Sequence, residues 1–251
     1  MKICLAGTYS YKRFVENNPP RFVLESFWSI DEWQMPMIKK SEFFLLDSGA
    51  FSFMNSQRNG KQFTLKEIYD YLDRYIEFIN KFDVKHFFEL DLDVVIGYEE
   101  VKKMRKILED KTGKKCIPVF HKNRGINEWY KMTEEYDFVA IGASGKNDSV
   151  WTRKHPEALI KLLQIAKKNN CKVHGLGYTN FSMLKQIPFY SVDSTSWASG
   201  WRYGSMHTFK NGKIVSYKKP PNKRMLKEMG WQAQEHNYKQ WKKLQDYYDE
   251  V

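Results

Sequence analysis

The sequence predicts one α/β domain spanning residues 1–251, a (β/α)8 TIM-type barrel with a β-hairpin and a C-terminal helix. Three observations predict it: short apolar runs recur along the chain, amphipathic segments separate most of them, and neither a linker nor a shift in composition divides the 251 residues. Right-handed crossovers between such runs make the strands parallel. Seven or eight runs in a chain of this length are more typical of a barrel than of an open sheet.

The candidate strands are residues 2–7, 43–49, 86–92, 116–120, 138–143, 172–177 and 190–194. Residues 206–209 are a candidate eighth strand, and they lead through Asn211-Gly212 into a further β-like run at 214–217. An Asn-Gly pair between two such runs is a strong hairpin signal.

The segments between the strands have helical periodicity. Thr64 and Glu67 form a capping box ahead of a periodic apolar stripe, and Pro156 suits the first position of a later helix. Another helix is predicted by the spacing of Val101, Met104 and Leu108. After Pro220-Pro221, a terminal helix carries four large side chains on one side, Tyr238, Trp241, Leu244 and Tyr248.

Composition favours a polyanionic partner. The chain has 41 Lys and Arg against 30 Asp and Glu, a formal charge of +11, and 16% of its residues are aromatic. Basic side chains bind phosphates and aromatic rings stack on bases, although a merely basic globular protein is the simpler alternative. Cys4, Cys116 and Cys171 form neither a disulfide framework nor a metal motif, which fits a reducing cytoplasm. No signal peptide or membrane-length apolar run is present, so we expect no membrane partner.

Polar residues and glycines end several candidate strands, where a parallel barrel carries its catalytic groups. Asp47 and Asp193 each end a strand, although either could instead cap a turn. Alternation places Glu89, Asp91 and Asp93 together on the face opposite Leu90 and Leu92, so we expect three acids to point into the barrel. His121 and His174 also end strands, but a lone histidine is more often a hydrogen-bonded core residue.

In these motifs the chain resembles the tRNA-guanine transglycosylase superfamily, and within it the zinc-free phage and bacterial enzymes that insert 7-deazaguanines into DNA. The similar segments, in chain order, are DSGAFS (47–52), LDVVIGY (92–98), FVAIGA (138–143), HGLG (174–177), Asp193, and RYG (202–204) with its following hairpin. They correspond to the family's Asp-Ser-Gly-Gly-(Phe/Tyr)-Gln, Asp-Glu-Cys-Thr-Pro-Tyr, Tyr-Ala-Ile-Gly-Gly, Met-Gly-Val-Gly, nucleophile and Arg-Asn-Gly segments. The similarity runs from about residue 43 to residue 217.

Four departures separate the chain from the family's pattern, and the last of them concerns a zinc cluster that is usual in the tRNA-modifying members. Ser199 stands where the family has an arginine, His121 replaces a glutamine, and Ala143 replaces the second glycine of its motif. No Cys/Cys/Cys/His zinc cluster follows the barrel region. The resemblance therefore favours DNA as substrate over tRNA, with no metal and no cofactor.

The resemblance implies a base-exchange glycosyltransferase that replaces guanine by a 7-deazaguanine derivative. Asp193 would be the nucleophile that attaches to the sugar, and Asp47 would exchange a proton with the base. Residues expected to hold the base are Asp93, Ser48, Phe51, Gly142, Ala143, His121 and Gly175. Candidate phosphate ligands are Arg202, Lys218, Lys219, Lys223 and Arg224, although such a basic run is as often a solvated surface.

Three alternatives stay open from the sequence. A tRNA-guanine transglycosylase, an N-glycoside hydrolase with water as acceptor, and a non-catalytic nucleic-acid-binding barrel would all carry similar residues. The two retained acids, Asp47 and Asp193, speak against a pure binding role. Because barrels of this family often pair, a homodimer is an expected assembly.

Overall fold

The structure is a computed structural model, and it describes residues 1–58, 60, 62–142, 150–152, 154–178, 180, 183–218 and 227–250. The side chains of residues 57, 58, 201, 202 and 227 are excluded from that description. The strands are β1 (Lys2–Ala6), β2 (Phe22–Ser26), β3 (Phe43–Asp47), β4 (Val119–Phe120), β5 (Phe138–Gly142), β6 (Lys172–Leu176), β7 (Ser191–Ser194), β8 (Ser205–Lys210) and β9 (Lys213–Lys218).

The α-helices among these residues are α1 (Lys12–Val15), α2 (Gln34–Ile38), α3 (Ala50–Arg58), α4 (Leu65–Phe82), α5 (Asp93–Ile96), α6 (Tyr98–Thr112), α7 (Ile126–Glu135), α8 (Pro156–Lys168), α9 (Ser199–Tyr203) and α10 (Lys227–Glu250). Short 3-10 helices cover Thr8–Tyr11, Lys122–Arg124 and Ser196–Ala198. The predicted capping box at Thr64 and the predicted first-turn proline at Pro156 are both present.

A curled, all-parallel sheet of seven strands, in the order β3-β2-β1-β7-β6-β5-β4, confirms the predicted mixed α/β class. The sheet differs from the predicted barrel in that residues 86–92 form no regular strand. Instead, residues 86–89 bridge both edges of the sheet: Phe88 N–H donates to Leu46 O at 3.0 Å, and Ile117 N–H donates to Phe87 O at 2.8 Å.

The sequence also assigned the wrong run as a strand of the main sheet. β2, which was not among the candidates, lies between β1 and β3, whereas 206–209 belongs to β8, which pairs only with β9 in a separate antiparallel hairpin. The hairpin turn is the predicted one, since Asn211 and Gly212 both have positive φ. It packs against α10, where the Asn237 side chain accepts from His207 N–H at 2.7 Å.

Two layers of apolar side chains surround the sheet. The inner layer fills the concave face with alternate strand residues, among them Cys4, Phe22, Leu24, Leu45 and Ala140. The other alternate residues pack outward against the helices; α4 and α6 cover one side, and α7, α8 and α10 cover the other. The terminal helix buries Tyr238, Trp241, Leu244 and Tyr248 as predicted.

Candidate active site at the carboxyl ends of the strands

Asp47 and Asp193 lie on the concave face of the sheet, at the carboxyl ends of β3 and β7. Asp193 pairs in register with Cys4, an inner-layer residue, and Asp47 continues the inward alternation of Phe43 and Leu45. Because all seven strands are parallel, their carboxyl ends meet at one mouth. The two acids predicted to carry the chemistry therefore share a face and an end of the sheet.

Asp193 is held through one of its two carboxylate oxygens. Its Oδ1 accepts from Gly177 N–H at 2.6 Å and lies 3.2 Å from Nε2 of His174, whose Nδ1 lies 2.8 Å from Ser191 Oγ. Among the described residues, Oδ2 has no hydrogen-bond partner. Two contacts thus fix the orientation of the carboxylate, and its second oxygen is left for a ligand.

Asp47 is built into the turn that follows β3. Its Oδ2 accepts from Gly49 N–H at 3.0 Å, and its carbonyl accepts from Phe27 N–H at 2.8 Å. Burial, together with repulsion from Asp193 and Asp91, raises the pKa of Asp47 to about 6 against the pull of the Gly49 hydrogen bond. Asp47 can consequently hold or release a proton near neutral pH.

A second group of charges lies beside these acids, and it is organised by Arg124. The Arg124 guanidinium is 2.9 Å from Asp91 Oδ1 and 2.9 Å from Asp93 Oδ2. It stacks on the Tyr98 ring, with its carbon 4.0 Å from the ring centre. Asp91 Oδ2 lies 2.6 Å from Nε2 of His121, so both oxygens of Asp91 are engaged. Asp93 keeps Oδ1 without a hydrogen bond among the described residues.

Glu89 is the structural member of the three predicted acids. It is fully buried, and its carboxylate binds Arg105 Nε at 2.7 Å and Val119 N–H at 2.7 Å, with Arg124 at 3.5 Å. Two arginines and a backbone amide give this carboxylate the partners that a buried charge needs. Of the three acids expected to point into the barrel, Glu89 therefore has a structural role.

Asp91, Asp93 and His121 place ligand atoms within 4.8 Å of one another, a spacing that a metal ion could bridge. Arg124 already binds both of these carboxylates, however, and supplies the positive charge that a cation would bring. We therefore assign these side chains to an ion-pair network.

The predicted base-binding residues divide between two faces. Gly142 faces inward against His121; a Cβ at position 142 would lie 2.6 Å from the imidazole. Gly175 instead pairs in register with Ile141 and Val192 of the outer layer, and a Cβ there would meet Phe189 at 2.9 Å. Glycine at position 175 therefore allows close packing behind the sheet, and its contact with a base stays a prediction.

Ser48 and Phe51 follow Asp47 but differ in exposure. Ser48 is 1% exposed and its carbonyl accepts from Tyr71 Oη at 2.7 Å, so it packs toward α4. Phe51, the second residue of α3, is 52% exposed. The ring of Phe51 is therefore available for stacking, whereas Ser48 offers little surface.

Most of the predicted phosphate ligands fall outside the part of the chain that the structure describes. Lys218 ends β9 and is exposed. Lys219, Lys223, Arg224 and the base-binding candidate Ala143 lie outside the described residues, and so does the side chain of Arg202.

Sequence reasoning missed three side chains of this site in whole or in part. Arg124 was not considered, because the spacing of residues 121–124 gives no hint that a 3-10 helix returns the guanidinium to the acids. His174 was noted only as a strand-end histidine. In the sheet it is in register with Ala140 and Ser191, and Ser191 shares a face with Asp193 by alternation along β7. That alternation was the signal that could have placed His174 near Asp193. Asp91 was grouped with its neighbours rather than assigned to His121.

Comparison of the chain with protein-family models, with curated proteins and with solved structures finds no match. Within the described residues, no helix combines the length and apolar character needed to cross a bilayer.

Proposed function

We propose that the chain is a base-exchange glycosyltransferase that replaces guanine by a 7-deazaguanine derivative in DNA through a covalent Asp193–sugar intermediate. The observation that carries the proposal is that two unlike acids lie on one face and at one end of the sheet. Asp193 is fixed through Oδ1 with Oδ2 available, and Asp47 has a pKa near 6. A double displacement needs this combination of an oriented nucleophile and a nearby proton carrier.

The proposed fold is a (β/α)8 barrel in which residues 86–89 take the eighth position. Hydrogen bonds from this segment to both edge strands support that interpretation. Closure would bring β3 next to the Asp91–His121 group, in accord with the repulsion between Asp47 and Asp91.

In the first displacement, Asp193 Oδ2 attacks C1′ of the target nucleotide. The ester C–O bond forms while the bond from C1′ to N9 of guanine breaks, and the bonding pair leaves with the base. Protonated Asp47 gives its proton to the departing guanine, so that the base leaves neutral. In the second displacement, N9 of the incoming 7-deazaguanine attacks C1′, the ester bond breaks, and Asp47 takes back a proton from the new base.

The ion-pair network would position the base rather than react. Asp91 holds His121 at 2.6 Å, and the absence of a side chain at Gly142 lets the imidazole lie at the strand end. Asp93 Oδ1 remains an acceptor for the N–H edge of the base. Phe51 offers a stacking surface, and Lys218 is a candidate phosphate contact.

The test is transfer of labelled guanine into polymer. The enzyme is incubated with labelled guanine and either duplex DNA, single-stranded DNA or tRNA, and the polymer is isolated and counted. We expect label in DNA, and a covalent adduct on a denaturing gel that Asp193→Ala abolishes. Asp137→Ala is the matched control, since Asp137 is an exposed aspartate just before β5, at the amino end of the sheet.

Product analysis separates exchange from its rivals. An exchange enzyme returns an intact strand with a new base, whereas a hydrolase leaves an abasic site. Exchange in tRNA alone would reverse the choice of polymer. Full exchange by Asp193→Ala would remove Asp193 from the nucleophile role.

A further inference from the structure

An aromatic pocket lies beside the mouth and is not used by the proposed chemistry. It has a volume of about 470 Å³, within the range of pockets that hold small organic ligands. Phe27 and Trp28, which follow β2, line it together with Phe53 of α3 and Tyr71 of α4. We call this the α3–α4 pocket.

The α3–α4 pocket shares its walls with the turn that carries Asp47. Tyr71 Oη donates to Ser48 O at 2.7 Å, and Phe27 N–H donates to Asp47 O at 2.8 Å. Gly49 (φ +84°) passes so closely between the two walls that a Cβ there would lie 2.7 Å from Tyr71 Oη and 2.8 Å from Trp28 Cβ. A ligand in this pocket would therefore lie next to the base with which Asp47 is proposed to exchange a proton.

The rings of the α3–α4 pocket hold one another in place, and one of them, Trp28, is partly exposed. Phe53 contacts Tyr71 edge-on with ring centres 4.6 Å apart, and Trp28 contacts Phe53 edge-on at 5.0 Å. Phe53 is 3% exposed, whereas Trp28 is 40% exposed. A large, preoriented and exposed indole is a platform for a flat aromatic ligand.

One cation at the rim of the pocket, Arg74, is a candidate contact for an anionic group. Asp70 is paired with Lys66 at 2.8 Å, and Glu67 is engaged by the Thr64 capping box. Arg74 lies over the Tyr71 ring at 5.6 Å and has no carboxylate partner among the described residues. The rim as a whole is not positive, because Glu67 keeps its charge in the capping box. Arg74 is the side chain there that a phosphate attached to a base could bind.

We infer that the α3–α4 pocket binds the nucleotide adjacent to the target on the same strand, with its base stacked on Trp28 and its phosphate at Arg74. This rests on the proposed function in one respect, namely that a nucleic-acid strand crosses the mouth. It adds a specific subsite: recognition would extend one nucleotide beyond the exchanged base, in an unstacked strand.

The test measures binding, so it does not depend on exchange. Dissociation constants are determined by fluorescence anisotropy for end-labelled dGMP, for the two dinucleotides that carry adenine on the 5′ or 3′ side of guanine, and for the trinucleotide A-G-A. Trp28→Ala should weaken trinucleotide binding about tenfold and leave dGMP unchanged, because one stacked base is lost. Trp28→Phe should recover most of the affinity, and Arg74→Gln should weaken the trinucleotide and lower its salt dependence.

Tyr130→Ala is the matched control, since Tyr130 is an exposed aromatic residue on α7 away from this pocket. Photocrosslinking of a trinucleotide that carries 5-iodouracil beside guanine should label the peptide containing Trp28. The inference would be overturned if Trp28→Ala weakened the binding of dGMP and of the trinucleotide equally, or if the crosslink labelled a peptide without Trp28. Preferential binding of tetramethylammonium that depends on Trp28 would also overturn it. Flanking-base binding without base exchange would refute the proposed function and leave the subsite standing.

Discussion

Asp47→Asn should make the protein more stable and the enzyme slower. The amide keeps the shape of the carboxyl group and can still accept the Gly49 hydrogen bond, but it carries neither the charge nor the proton. Burial and the neighbouring acids raise the pKa of Asp47 from 3.8 to about 6. The fold therefore opposes ionisation of this group, and replacement by a neutral side chain removes that opposition.

The size of the expected gain in stability follows from the shift in the pKa of Asp47. Two pKa units correspond to at most about 3 kcal/mol between the protonation states, and because Asp47 is partly open to solvent we expect about 1–2 kcal/mol. A folded-state pKa above the unfolded value means that wild-type stability declines as pH rises from about 4 to about 6 and is level above that. The gain from Asp47→Asn should be near zero at pH 4 and complete by pH 7.

The assay is urea unfolding of both proteins at intervals from pH 4 to pH 8. Asp73→Asn serves as control, because Asp73 forms an exposed pair with Lys111 and its loss should change stability little. In single-turnover adduct formation, the wild-type rate should fall as pH rises through about 6, as Asp47 loses its proton. Asp47→Asn should lower the rate at least about a hundredfold and remove that limb. A variant that is less stable than wild type at pH 7, or that keeps the pH limb, would refute the reasoning.

Substitutions at three further positions test the site's architecture. Arg124→Met should cost about 3–5 kcal/mol of unfolding free energy because Asp91 and Asp93 lose their shared cation. Arg124→Lys should recover only part of that free energy, since lysine lacks the planar fork. An Arg124→Met variant as stable as wild type in urea unfolding would contradict the ion-pair network. Gly142→Ala should displace the neighbouring imidazole and reduce guanine binding in calorimetry with little loss of stability. Gly175→Ala should instead cost about 1–3 kcal/mol by overpacking behind the sheet while the folded protein still binds guanine. A loss of stability in Gly142→Ala together with a loss of guanine binding in Gly175→Ala would contradict the faces assigned to these two glycines.

Local signals predicted much of the fold. The capping box at Thr64, the proline at the start of α8 and the Asn-Gly turn each specify a local geometry that tertiary packing had no reason to override. β2 escaped detection because its apolar run is short and contains Glu25. That carboxylate is fully buried beneath the 3-10 helix of residues 8–11, where it accepts from Thr8 N–H at 2.7 Å.

Residues 206–209 were a candidate eighth strand because sequence periodicity does not distinguish a barrel strand from a hairpin strand. The structure separates them by burial. β1 and β2 are buried on both faces, as parallel strands are, whereas β9 is exposed along nearly its whole length. The polar residues Ser216 and Lys218 in β9, the hairpin partner of residues 206–209, were the available signal against a place in the sheet.

The acids of residues 89–93 show where the alternation argument fails. It assumes that a strand continues, but Leu92 N–H donates to Leu90 O at 2.9 Å, a three-residue turn, and Asp93 already begins α5. Glu89 therefore goes into the core, while Asp91 and Asp93 are turned toward Arg124 and His121. A turn at this point lets three acids that all lie near Arg124 differ in their other partners: Glu89 binds Arg105, whereas Asp91 lies against His121. In a straight strand, three carboxylates on one face would repel one another without enough cations to neutralise them.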